Sequence, residues 1–196
     1  ALPKLGHACG HNIIATSAIG AAVAARMAVD QLAGHILVLG TPSEESYGGK
    51  VIMLQRGAFD GVDAAMMIQP GSQDTAITRA LACLSLNVEF HGKAAHAASH
   101  PSKGVNALEA MIQAFNNVNS LRQHIRDRSR IHGIITDGGE AANIVPSHSA
   151  GTFLIRAEDN AYLDELKERV LNCFTAAALA TGAQLEHKWG EVRYAP

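Results

Sequence analysis

The rhythm of apolar and polar positions changes twice along this chain. From Ile13 to Val29 the apolar residues Ile13, Ile14, Ile19, Ala22, Val23, Met27 and Val29 surround most of a helical circumference. That pattern predicts a helix over residues 12–32 that needs burial on more than one side. Asn12 stands where an N-cap is expected, and Gly34 where a helix stops. HILVLG (35–40) and AAMMIQ (64–69) are short, continuous apolar runs of the kind found in buried parallel strands. Between them lie a loop over 41–49, with acidic, Pro and Gly content, and a short helix over 50–56. The order helix–strand–loop–helix–strand predicts an α/β layer domain.

The texture changes between residues 72 and 82. LSLNVEFHG (84–92) alternates apolar and polar positions, which predicts a half-buried strand. Residues 104–126 read as an amphipathic helix. RIHGIITDGG (130–139) and SAGTFLIRAE (149–158) read as strands flanking a Gly- and Pro-containing loop. Residues 160–181 form a second amphipathic helix, with Leu163, Leu166, Val170 and Phe174 on one face, and QLEHKW (184–189) a last strand. This is β-α-β-β-α-β, the ferredoxin-like order. The expected division is therefore residues 1–76, residues 77–192, and a short return over 193–196.

The two parts differ in completeness. Two strands and one all-round apolar helix leave sheet edges unpaired and the helix half bare. The first part thus reads as a slice of a larger α/β domain, and the second as a whole unit inserted into it.

Composition narrows the classes. A chain of 196 residues with 47% apolar and 17% charged residues is globular and long enough for one or two cores. The formal net charge of −2, with no Lys/Arg cluster, excludes a nucleic-acid footprint. Three separated cysteines argue against a disulfide framework and for a reducing, cytoplasmic setting. The run 13–29 is alanine-rich, contains Arg26 and is short for a membrane span; no basic segment precedes it, so neither a span nor a secretory leader is expected.

Six places carry side chains suited to chemistry. GHACGHN puts His7, Cys9 and His11 at alternate positions ahead of the apolar helix. A thiolate and an imidazole suit zinc and similar ions, and a helix N-terminus favours the thiolate. The plain alternative is a buried Cys beside two loop histidines. GTPSEESYGGK (40–50) sets Glu44 and Glu45 directly after a strand, where open α/β sheets bind ligands. One carboxylate can hold a metal while the other acts as general base; a solvated acidic turn is the alternative. Gln69 closes the next strand, and an amide oxygen is a feeble ligand. His96 in HGKAAHAASHP is ringed by small residues and could donate to an oxyanion, or be an ordinary loop histidine. Asn143 and Arg156 could hold a substrate's polar groups, Arg being a natural carboxylate partner; singly they read as a turn residue and a surface ion pair.

In order, GHACGHN, GTPSEE with GGK, MMIQP, HGKAAHAA with GVNALEA, HGIITDGGEAANIVP and FLIRA resemble the dinuclear metallo-amidohydrolases, which include aminoacylases, hippurate hydrolases and auxin-conjugate hydrolases. CGHN, HGIITDGG and CFTAAALATGA point to the branch holding aminobenzoyl-glutamate hydrolase and the Xaa-Arg dipeptidases. The resemblance implies a partial αβα metallopeptidase-like catalytic domain with an inserted ferredoxin-like lid that dimerises. It implies two divalent ions, Zn²⁺ or Mn²⁺, with Cys9 bridging them and His11 and Glu45 as further ligands. It implies Glu44 as general base, His96 as oxyanion donor acting across a dimer, and Asn143 and Arg156 as substrate-binding groups. His7 matches a position beside the site and is not counted as a ligand. The expected reaction is hydrolysis of a linear amide in N-acyl amino acids or dipeptides, with a homodimer and a small-molecule substrate.

Two departures stand against this. Where the family usually has His-Pro after the second strand, the chain has Gln69-Pro70, which weakens one metal position. The resemblance also implies catalytic-domain sequence on both sides of this chain, including a last histidine ligand with no counterpart here. The competing expectation is therefore a catalytically inactive piece that serves only as a dimerisation or binding module. A cysteine hydrolase built on Cys9 is a third reading, but it leaves the Glu-Glu loop without a role.

Overall fold

The computed structural model describes residues 6–31, 34–76 and 80–195. The chain divides into two units, Ala1–Thr78 and Arg79–Pro196. No helix among the described residues is long and apolar enough to cross a membrane.

The first unit is helical where it is regular. Helix α1 (His11–Arg26) is followed by a 3-10 turn, Val29–Gln31, and then by α2 (Glu44–Tyr47) and α3 (Gly49–Gln55). The expected N-cap at Asn12 is corrected: the helix opens at Gly10, in the left-handed region, with no side-chain cap. Asn12 lies inside the first turn, where its carbonyl accepts from Thr16 Oγ1 at 2.8 Å. The expected helix over 12–32 stops as α-helix at Arg26, and its last position, residue 32, lies outside the described residues. The loop expected over 41–49 contains the single turn α2.

The runs 35–40 and 64–69 form no strand, contrary to the expectation. A strand exists only through its ladder, and within this unit neither run pairs with a neighbour. Their side chains stay bare: Leu37 is 63% exposed and Met66 95%. Helix α1 likewise buries no residue.

The second unit has its own sheet and core. Strands β1 (Ala82–His91), β2 (Arg130–Asp137), β3 (His148–Ala157) and β4 (Gln184–Trp189) form one antiparallel sheet in the order β2-β3-β1-β4. Helices α4 (Ala107–Arg122) and α5 (Asn160–Thr181) complete the expected β-α-β-β-α-β order. Asn106 and Asp159 cap them, accepting from the backbone N–H of Glu109 and Tyr162. Helix α4 is shorter than the 104–126 expected because Val105 is held extended by a bridge to Lys93.

The alternation in β1 sends Leu84, Leu86, Val88 and Phe90 into the core. There they meet Met111 and Val118 of α4, Phe153 and Ile155 of β3, and Leu163, Leu166, Val170 and Phe174 of α5. Asn87, Glu89 and His91 point to the other face, opposite the helices.

Candidate metal centre

Backbone constraints shape the first cluster. Gly10 has φ 72°, and a Cβ there would lie 2.9 Å from Pro70 Cγ. The loop before α1 thus seats against the residue that follows Gln69. Gly49 is as confined: a Cβ would lie 1.8 Å from the Pro42 carbonyl oxygen, so the chain from Pro42 to Gly49 folds tightly around α2. That turn carries Glu44 and Glu45.

These two turns bring Cys9, His11 and Glu45 together. One ligand atom from each lies within 4.8 Å of the others. His11 Nε2 is 3.4 Å from Glu45 Oε1. A hydrogen bond to the Glu45 carboxylate holds the Cys9 thiol above its ordinary pKa, and the charge of Glu45, slight desolvation and the charge of Glu44 add to this. A cation at this point would reverse the balance, because it favours the thiolate. Thiolate, imidazole and carboxylate are a donor set that zinc accepts, so the residues present fit a divalent ion. Gln69 is exposed, with its neighbour Pro70 against Gly10. His7 is exposed, and its carbonyl accepts from the Gly10 N–H.

In the second unit, His96 and Asn143 lie on adjoining segments. His96 bridges Ile144, and the Ala97 N–H donates to the Asn143 carbonyl at 3.0 Å. The His96 ring is exposed, and its Nδ1 accepts from the backbone N–H groups of Ala98 and Ser99 at 3.3 and 3.2 Å. An Nδ1 that accepts twice leaves the proton of a neutral ring on Nε2. His96 is thereby set up as an Nε2–H donor. The stretch Glu140–Ala142 with Ile144 and Pro146, beside Asn143, lines an open depression with Asn106 and Leu108.

Arg156 stands elsewhere. It pairs with Cys83 at the start of β1, whereas the turn carrying His96 leaves β1 at its other end, after His91. The sheet therefore groups His96 with Asn143 and holds Arg156 apart, on the face opposite the helices.

A second group, Glu89, His91 and His148, forms no motif in the sequence. The alternation of β1 puts Glu89 and His91 on one face, but His148 joins them only through the β1–β3 register. Hydrogen bonds to Glu89 and Asp137 hold His148 above the ordinary histidine pKa, against partial desolvation.

Residues 82–181 match the family model of the peptidase dimerisation domain, M20_dimer. The mouse Xaa-Arg dipeptidase is 42% identical over 190 residues, covering 95% of this chain and 44% of that protein. A subunit of the p-aminobenzoyl-glutamate hydrolase of Escherichia coli K12 is 36% identical over 185 residues, covering 92% of this chain and 38% of its own length. The chain thus spans less than half the length of these curated relatives. A crystal structure of an aminobenzoyl-glutamate utilization protein from Klebsiella pneumoniae superposes with a TM-score of 0.52 at 28% identity, over 59% of this chain and 30% of that one.

Proposed function

Since the chain belongs to the M20 peptidase dimerisation-domain family, we propose that it supplies the metal-binding turns and the lid of a metal-dependent amidohydrolase. Residues 1–76 are the catalytic part, 77–192 the lid and dimerisation part, and 193–196 the return toward the catalytic part. The substrates are N-acyl amino acids or dipeptides with a free carboxylate, the class to which the named relatives' substrates belong. The observation that carries this reading is the convergence of Cys9, His11 and Glu45 within 4.8 Å, in a sequence 42% identical to a dipeptidase.

Cys9, His11 and Glu45 would hold a divalent ion, Zn²⁺ or Mn²⁺. When bound, the ion supplies Lewis-acid activation of water and of the amide carbonyl. Glu44 takes the proton of the attacking water and returns it to the departing amine. His96, through Nε2–H, donates to the developing oxyanion. Asn143 hydrogen-bonds the substrate backbone, and Arg156 pairs with its carboxylate. The separation of Arg156 from His96 along the sheet supports a dimer in which the two act on different copies' substrates. Strand β2 supports the same dimer, since it is a sheet edge that exposes Ile134 and Ile135.

The test is turnover of an Xaa-Arg dipeptide and of aminobenzoyl-glutamate with Zn²⁺ or Mn²⁺ supplied. Glu44→Gln is expected to abolish turnover and leave the bound metal unchanged by elemental analysis. Turnover that survives this change overturns the assignment of the base. The family match to a dimerisation domain favours one second reading, a dimerising module without activity; a clean dimer with no turnover at any metal supplied would establish it.

A further inference from the structure

The sheet face opposite the helices carries a concentration of titratable groups that the hydrolytic reading does not use. His91 and His148 are direct partners across β1 and β3. Glu89 precedes His91 by two residues and shares its face. Glu186 of β4 lies directly opposite Glu89. Asp137, at the irregular end of β2, reaches His148. Four strands thus send a side chain to one point.

Three geometric features set this group apart from an ordinary charged surface. First, Glu89 Oε2 is shared: it lies 3.0 Å from His148 Nε2 and 3.9 Å from His91 Nε2. Second, His91 Nε2 is sealed from water and has no hydrogen-bond partner. The nearest carboxylates approach to 3.6 Å (Glu186) and 3.9 Å (Glu89), outside hydrogen-bond range. A sealed and unsatisfied ring nitrogen is costly, and it points among acceptors that could bind a cation jointly with it. Third, His148 Nδ1 is 2.7 Å from Asp137 Oδ2. A carboxylate on the far nitrogen of a histidine is the arrangement that fixes the tautomer of metal-bound imidazoles and raises their basicity. With Nδ1–H donated to Asp137, Nε2 is hydrogen-bonded to Glu89 Oε2 at 3.0 Å, and a bound cation takes the place of the proton between them.

We propose that Glu89, His91 and His148 form a second binding site, for a divalent transition cation of the Zn²⁺ class, with Asp137 as the positioning residue behind His148. Nitrogen and oxygen ligands at about 2.0–2.2 Å from zinc lie roughly 3.3 Å apart in a tetrahedral set. The three donor atoms, all within 4.8 Å of one another, need only small side-chain rotations to reach that spacing. The side chains of His148 and Glu89 are 38% and 52% exposed, so an ion enters from solvent on their side and meets His91 Nε2 from there. Water or the Glu186 carboxylate completes the fourth position. The ion satisfies the orphaned nitrogen of His91 and offsets the negative charge of Glu89, Asp137 and Glu186. It ties β1 to β3 directly and β2 through Asp137. The site's role is that of a cross-strand clip on the face that the helices leave bare.

The experiment uses the whole, tag-free chain in a C9S/H11A background, which removes the first cluster while leaving the second unit untouched. Zn²⁺ is titrated by calorimetry and by competition with a chromophoric chelator. One ion per chain is expected, together with a higher thermal midpoint when it is bound. Adding His148→Gln or His91→Gln is expected to abolish that binding. Asp137→Asn is expected to weaken it roughly 10–100-fold. With Co²⁺ in the C9S/H11A chain, the site should give visible absorption without the near-ultraviolet thiolate band that Cys9 would produce. Absence of Zn²⁺ binding in the background chain overturns the proposal, as does unchanged binding in both histidine variants. Should either histidine variant lose its far-ultraviolet circular dichroism, Glu89→Gln decides by the same titration: lost binding supports the site and retained binding overturns it. The outcome is independent of the hydrolytic reading, which rests on Cys9, His11, Glu44 and Glu45.

Discussion

At the scale of single residues, Gly10 shapes the turn that carries Cys9 and His11. Its positive φ and its contact with Pro70 fix the direction in which Cys9 and His11 leave the turn. A side chain in the left-handed region costs about 1–2 kcal/mol, and Pro70 leaves no room for one. Gly10→Ala is therefore expected to lower metal affinity while the second unit's circular dichroism stays unchanged, as read by dialysis against Zn²⁺. The spacing Cys-x-His was legible in the sequence, and so was the Glu-Glu pair. Their meeting depended on turns whose closure rests on Pro42 and Pro70, which no local pattern announced. A second residue pair acts on stability. Arg193 forms a double hydrogen bond to Asp164, which holds that carboxyl below its ordinary range. A depressed folded-state pKa gives stability that is present above the unfolded value, near 3.9, and lost as pH falls through the folded value. Arg193→Ala should thus lower the thermal midpoint at pH 7, and the gap from the parent chain should close in acid below about pH 4.

At the scale of elements, the second unit follows its pattern closely. Helix α5 and strand β4 have the bounds that periodicity assigns them, because each has a single apolar face and a clear stop. Phe174 of α5 meets Phe153 edge-on at 4.8 Å and stacks near Phe90 at 6.4 Å, so one side chain joins helix, central strand and neighbour. Phe174→Ala is expected to cost about 3–5 kcal/mol, read as a drop in the denaturant midpoint of the second unit's transition. The first unit behaves in the opposite way. HILVLG and AAMMIQ have strand composition, yet form no strand among the described residues. Propensity supplies a preference for extended backbone, but only hydrogen bonds to a neighbour make a strand.

At the scale of the whole molecule, the sheet presents two unlike features. One is the β2 edge, with Ile134 64% exposed and unpaired backbone beside it. In the proposed dimer that edge is covered, so Ile134→Lys should shift the chain toward monomer in analytical ultracentrifugation, with the fold of the second unit retained. An unchanged dimer would move the interface elsewhere on this unit. The other is the open face, where Arg156 at one end and the His91–His148 group at the other occupy the same side of β3. The family, the ferredoxin-like order and the residues of the first cluster were all legible as ordered motifs. The second histidine group was not, since it required the register of β1 on β3.

Local pattern settles the second unit's element order, its buried face and the chemical types at the candidate centre. Local periodicity and residue chemistry suffice for those, because each depends on neighbours only a few positions away. Which of these residues meet depends on the folded chain. Gly10 on Pro70, Glu45 beside Cys9 and His11, and His91 opposite His148 are all contacts between segments distant in sequence. Such contacts are set by turn closure and strand register, and a register shift of one residue would have sent His148 to the other face.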